Sequence, residues 1–109
     1  HPVLTSVEID NKGVDISTTA GSKARAVFEG EVRKVFAVPG AQNAVIIRHG
    51  EYLSVYTHLD NVLVSVGETV VTKQAIGTVH TDQTDNKTIL HLEIWKGSVV
   101  LNPSQWLSK

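Results

Sequence analysis

Cysteine is absent from the 109-residue chain, which excludes disulfides and thiolate metal ligands and, by itself, fits an oxidising or a reducing compartment. Methionine is absent too, and the chain opens at His1-Pro2 without a secretory signal pattern. It is therefore expected to be a C-terminal fragment of a longer protein whose signal and other domains lie upstream. No apolar run approaches the roughly 20 residues that a membrane-spanning helix needs, so membrane insertion of this domain is not expected. Charge of one sign is not in excess: ten Lys plus Arg stand against eleven Asp plus Glu, a formal net charge of −1. That balance lacks the basic surplus of a nucleic-acid footprint, and nucleic acid is not an expected partner. What is present suffices for one core, since 41% of the residues are hydrophobic, and residues 1–109 are read as a single domain.

Short β-rich runs broken by Gly, Asn and Asp dominate, and no stretch combines a helical period with helix caps. The reading is all-β. The pattern predicts strands over Val3–Ile9, Gly13–Ser17, Lys23–Ala26, Gly30–Val38, Ala44–His49, Tyr52–Leu59, Thr69–Val71, Ala75–Val79, Thr88–Trp95 and Val99–Leu101. Pro39-Gly40 marks one turn, and His49-Gly50-Glu51 joins two apolar runs as a hairpin. Residues Thr81 to Lys87 are polar and without period, which predicts a mobile exposed loop. A weak internal echo links Gly21–Val32 to Gly67–Val79, two turn-strand-turn-strand units of the kind that build small barrel-sandwich hybrids.

Two segments carry the chemistry. Asn11-Lys12-Gly13-Val14-Asp15 has the shape H-x-G-x-D with Asn in place of the His, and Ile89-Leu90-His91-Leu92-Glu93 has the shape H-x-H with Ile in place of the first His. A hydrolytic zinc needs three good protein ligands and an open position for water. Asn offers only a neutral amide, a poor zinc donor, and Ile can neither take a proton from metal-bound water nor stabilise an oxyanion. In the second segment a period of two puts Ile89, His91, Glu93 and Trp95 on one face and Leu90, Leu92 and Ile94 on the core face. The same count puts Tyr56 and His58 together on one face of their strand, opposite Val55 and Thr57, so that two histidines project toward a common groove. Among the other histidines, His49 reads as a turn or surface imidazole, His80 as the entry to the polar loop, and His1 as a chain end. Asp15, His58 and His91 also have plain structural readings, as a turn brace and as groove hydrogen-bonders. Tyr56 and Trp95 fit a core or rim role as well as a binding one.

Taken together the segments resemble the LytM/lysostaphin-type zinc metallopeptidases of bacterial cell walls. The resemblance runs over nearly the whole chain: Asn11 to Ile16 for H-x-G-x-D, Ala26 to Val32 for A-x-x-x-G-x-V, Tyr56-Thr57-His58-Leu59 for Y-x-H-L, and Val66 to Val70 with Gln74 to Gly77 for V-G-x-x-V and Q-x-I-G. Ile89 to Ile94 stands where the family has H-L-H-F-E-I, and Asn102 to Leu107 resembles its N-P-x-x-W-L ending. The resemblance implies a LytM-type barrel-sandwich hybrid of mostly antiparallel strands, with a duplicated hairpin motif. It makes Asp15 and His91 remnant zinc ligands and His58 a remnant catalytic His, while Asn11 and Ile89 break the pattern.

Within the family the chain looks like the degenerate, EnvC-type murein hydrolase activators. That implies a pseudo-peptidase with no cofactor, acting in the periplasm or cell envelope. Its partner would be a cell-wall N-acetylmuramoyl-L-alanine amidase, bound during cell separation through a groove made by Asn11, Asp15, Tyr56, His58, Ile89, His91 and Trp95. Two alternatives stay open: a divergent zinc endopeptidase acting on peptidoglycan cross-bridges, and a peptidoglycan-binding module. A carrier domain is disfavoured, because neither Lys73 nor Lys87 has the hairpin-tip setting of a modified lysine.

Overall fold

The computed structural model describes residues 6–10, 13–96 and 99–101, the two short outer stretches by their backbone alone. In it the described residues form eleven strands and no helix: β1 (Ser6–Asp10), β2 (Gly13–Thr18), β3 (Lys23–Arg25), β4 (Gly30–Ala37), β5 (Asn43–His49), β6 (Tyr52–Val62), β7 (Thr69–Val70), β8 (Ala75–Val79), β9 (Thr81–Asp82), β10 (Lys87–Lys96) and β11 (Val99–Leu101). Every pairing is antiparallel, and the main path runs β1-β2-β10-β6-β5-β4-β7. The expectation of an all-β, antiparallel fold holds. The first expected strand lies partly outside the described residues, and its described part runs to Asp10.

The two echo units pair with each other. β3 of the first lies against β8 of the second, and β4 of the first against β7 of the second. Reciprocal backbone bonds seal the joints: Ala26 N–H donates to the Gln74 carbonyl and Lys73 N–H to that of Ala26, while Val32 N–H donates to Glu68 and Gly67 N–H to Val32. Each unit thus closes the open edge of its copy, as a small barrel requires.

The core follows from alternation. Along β10, Thr88, Leu90, Leu92 and Ile94 are buried while Ile89, His91, Glu93 and Trp95 are part-exposed. The buried row meets Val14 and Ile16 of β2, Val45 and Ile47 of β5, and Val32, Val70 and Ile76 in one cluster. Burial of one such side chain contributes roughly 1.5–3 kcal/mol, so the sheet's inner face fixes the register of the outer one.

One expectation is corrected here. Thr81–Lys87 is exposed, but it is a hairpin: β9 pairs with the start of β10, Lys87 opposite Asp82 and Thr88 opposite Thr81. The Asp82 carboxylate accepts from Thr84 N–H and Asp85 from Lys87 N–H, so the polar residues hold a turn. Lys73 stands on a turn, with φ of 69° and Gln74 N–H bonded to the Val71 carbonyl, but the flanking β7 and β8 pair with β4 and with β3 and β6, not with each other, and Lys87 lies within β10.

Candidate functional site

The groove is laid out by β10 with β2 on one side and β6 on the other. Register sets Asp15 opposite His91, and His91 opposite Thr57. Gly13 permits this close approach: a Cβ there would lie 2.3 Å from the Leu92 carbonyl oxygen and 2.8 Å from Glu93 Cγ, and its φ of +136° suits glycine alone. The glycine of the first motif therefore brings β2 onto β10 two residues before Asp15.

His58 reaches the groove by a different route from the expected one. Tyr56 and His58 do not share a face. Tyr56 sits opposite Leu92 in the core with no exposed surface, its hydroxyl accepting a bond from Val27 N–H. At His58 the backbone turns left-handed, with φ of 70°, and the β5–β6 register slips. This bulge breaks the alternation and swings the imidazole beside His91, ring centroids 6.4 Å apart. Tyr56 therefore lies beneath the groove.

His91 is clamped. Its Nδ1–H donates to Asp15 Oδ1 at 2.6 Å and its Nε2–H to Glu93 Oε2 at 2.9 Å, while Trp95 Nε1–H donates to Glu93 Oε1 at 2.8 Å. A carboxylate at each ring nitrogen is an acceptor, so the arrangement favours the imidazolium form of the ring. Burial is the largest single influence and lowers the pKa of His91. The bonds to Asp15 and Glu93 and the charges of both outweigh it, and the pKa ends above its ordinary value. His58 responds in the opposite sense: burial first, then the positive His91 beside it, holds its pKa below the ordinary value. Its Nδ1 is buried without a hydrogen-bond partner among the described residues. Its backbone is tied on both sides, N–H to Ala41 carbonyl and carbonyl to His80 N–H, and His80 Nδ1 meets Asp60 Oδ1 at 2.5 Å.

Among the described residues these donors do not form a three-ligand zinc centre. At metal–ligand distances of roughly 2.0–2.1 Å and tetrahedral angles, neighbouring ligand atoms stand about 3.3 Å apart; Asp15 Oδ1 and His91 Nδ1 are 2.6 Å apart, within hydrogen-bond distance. Among the described residues no three His, Asp or Glu side chains converge on one point. Ile89 lies half-buried on the His91 face in register with Ser17. Asn11 lies outside the described residues.

Sequence reasoning missed two features. Glu93 was legible on the His91 face but not as the group that occupies the second ring nitrogen. His49 is no surface imidazole: it ends β5 half-buried, Nδ1–H donating to the Glu29 carbonyl at 2.8 Å and Nε2 accepting from Ser54 Oγ at 2.7 Å. It helps line a cavity of about 490 Å³ with Phe28, Arg48, Tyr52 and others, at the far end of β6 from His58. A hairpin glycine after His49 gave no sign of it.

Residues 10–103 match the model of peptidase family M23, and the chain belongs to that family. It is 35% identical over 105 residues to an uncharacterized metalloprotease of Haemophilus influenzae, covering 94% of this chain and 22% of that protein. It is 41% identical over 103 residues to the murein hydrolase activator NlpD of Escherichia coli, covering 89% of this chain and 26% of the relative. With the murein hydrolase activator EnvC of Escherichia coli it shares 29% identity, over 94% of this chain and 25% of that one. The chain thus spans about a quarter of the length of these relatives. A putative peptidase M23 from Pseudomonas aeruginosa superposes with a TM-score of 0.83 at 20% identity, covering 97% of this chain and 48% of that one, which shows the fold.

Proposed function

We propose that this domain is a non-catalytic murein hydrolase activator of the cell envelope, which binds a cell-wall N-acetylmuramoyl-L-alanine amidase in the periplasm and releases its activity during cell separation. The groove around Asn11, Asp15, His58, Ile89, His91 and Trp95 is the binding surface, with Tyr56 supporting it from the core. The observation that carries this reading is the 2.6 Å bond between Asp15 and His91: the two remnant ligands satisfy each other, and Glu93 takes the remaining ring nitrogen. Asn11 and Ile89 act independently, the first lacking a good metal donor and the second lacking a base. An apolar side chain where the base would stand favours protein contact over water activation. The activator names of NlpD and EnvC support the same choice.

The second reading, a divergent zinc endopeptidase of peptidoglycan, has the metalloprotease relative in its favour. Zinc analysis of the dialysed domain separates the two: the activator retains no stoichiometric zinc and leaves murein peptides uncut. A third, direct peptidoglycan binding, is tested by sedimentation with sacculi. The activator reading itself is tested by adding the folded domain to purified amidase on labelled sacculi, where it increases product release. Ile89→Glu puts a charge on the groove face and is expected to weaken stimulation at least tenfold, roughly the cost of a buried unpaired charge in an interface, while thermal melting stays near that of the parent.

A further inference from the structure

The cavity of about 490 Å³ beside His49 is separate from the groove. His49 ends β5 and Tyr52 opens β6, and Tyr52 stands roughly 20 Å along that strand from His58 at the usual strand rise. The period of two puts Tyr52 on the side of the buried Ser54 and Tyr56, and His49 on that of the buried Val45 and Ile47. The cavity therefore lies at the β5–β6 hairpin on the inner side of the sheet, away from the outer face that carries His91.

Two opposite charges line it unpaired. Arg48 gives its Nε–H to the Gly50 carbonyl, and its guanidinium meets no carboxylate among the described residues; nor does the Glu29 carboxylate meet a cation there. Both residues are exposed. Two aromatic side chains share the wall. Phe28 meets the His49 ring edge to face, centroids 6.3 Å apart, and Tyr52 has the Lys96 ammonium over its ring, 5.6 Å from the centroid.

These groups restrict the guest. His49 has both ring nitrogens engaged, Nδ1 at the Glu29 carbonyl and Nε2 at the Ser54 hydroxyl, so it gives the cavity neither a metal ligand nor a base. The one carboxylate that remains is too small a donor set for a cation site. A phosphate would face the like charge of Glu29, and a neutral glycan uses neither charge. The end of a long protein chain brings only one of the two charges needed. A small zwitterion with an apolar body answers both. A round space of this volume is about 10 Å across, and an extended peptide of three residues spans roughly 10 Å.

We propose that this cavity is a binding site for a short zwitterionic peptide of about three small residues. Its carboxylate takes the two terminal nitrogens of Arg48 as a fork, its ammonium meets Glu29, and its apolar side chains lie against Phe28 and Tyr52. The site is independent of the activator reading and uses no residue of the groove.

The test is calorimetric titration of the chain with trialanine, N-acetyltrialanine and trialanine amide, with thermal melting as the control for folding. Trialanine is expected to bind, and blocking either end to weaken binding roughly tenfold, the effect of losing one charge-assisted bond. Glu29→Gln is expected to bind trialanine and N-acetyltrialanine alike, and Arg48→Gln to bind trialanine and its amide alike, because each variant lacks the group that reads that end. In proton spectra the Tyr52 ring and His49 imidazole signals are expected to shift on titration while that of His91 stays. Competition by intact sacculi assigns the ligand to peptides of the wall, and its absence assigns it to a free peptide. A folded parent that binds no trialanine at millimolar concentration overturns the site, as do equal binding of the three peptides and unchanged discrimination in both variants. None of these results touches the activator reading.

Discussion

Two histidines of this sheet, on β10 and β5 with β6 between them, have opposite surroundings. His91 lies between two carboxylates, and His49 between a carbonyl and a hydroxyl. The carboxylate partners favour the cationic form of the first ring, whose pKa is raised. For the second, the Ser54 hydroxyl can donate to the neutral ring, and burial, more than the opposing Glu29 bond, keeps its pKa below the ordinary value. Each ring depends on a glycine that lets a strand come close. Gly13 does this for β2 beside Glu93, and Gly30 for β4 beside His49, where a Cβ would lie 2.3 Å from the Arg48 carbonyl oxygen and 2.8 Å from the ring. The same sheet can therefore build a charged brace or a neutral one, depending on whether the flanking groups can donate.

The largest expected effect comes from breaking the approaches. Gly13→Ala forces a clash and a strained backbone together and should cost roughly 2–5 kcal/mol. Gly30→Ala, whose φ is unstrained, should cost roughly 1–3 kcal/mol. Urea melts of the two variants rank them directly.

The pH profile sharpens the contrast. The folded pKa of His91 is raised above its unfolded value near 6.5, so its contribution to stability is fully present below that value and is lost as pH rises through the folded pKa. The folded pKa of His49 is depressed, so its contribution is present above about 6.5 and is lost as pH falls through the folded value. His91→Gln should therefore remove the alkaline loss and His49→Gln the acid loss, in melts between about pH 5 and 9. Imidazole NMR titrations should place His91 above His49.

The smallest effect is expected from Glu93→Gln. It removes one charge-assisted bond, about 1 kcal/mol, lowers the pKa of His91 and weakens the tie to Trp95 Nε1, which tryptophan fluorescence reports.

What could be read from the chain was whatever depended on alternation. The period of two in Thr88–Trp95 placed Leu90, Leu92 and Ile94 inside and put Glu93 on the same face as His91. The repeat of turn and strand was visible at Gly21 and Gly67, although not that the two units would close on each other, because pairing between distant strands is set by the shared core. His58 shows the limit most plainly. A single left-handed residue carries it away from Tyr56 to the groove, and no side-chain pattern in Tyr56-Thr57-His58-Leu59 marks the bulge. His49 was missed for a related reason, since its partners Glu29 and Ser54 lie on other strands. The hairpin at Thr81–Lys87 was missed because its two-residue strand is too short to show a period.

The central claim is that this groove binds and does not cut. The most direct measurement is release of labelled fragments from sacculi by a purified zinc amidase, with and without the zinc-free domain. The account predicts strong stimulation by a domain that releases nothing alone and whose effect is unchanged after dialysis against chelator. Stoichiometric zinc retained by the domain, together with murein cleavage in the absence of amidase, would contradict it.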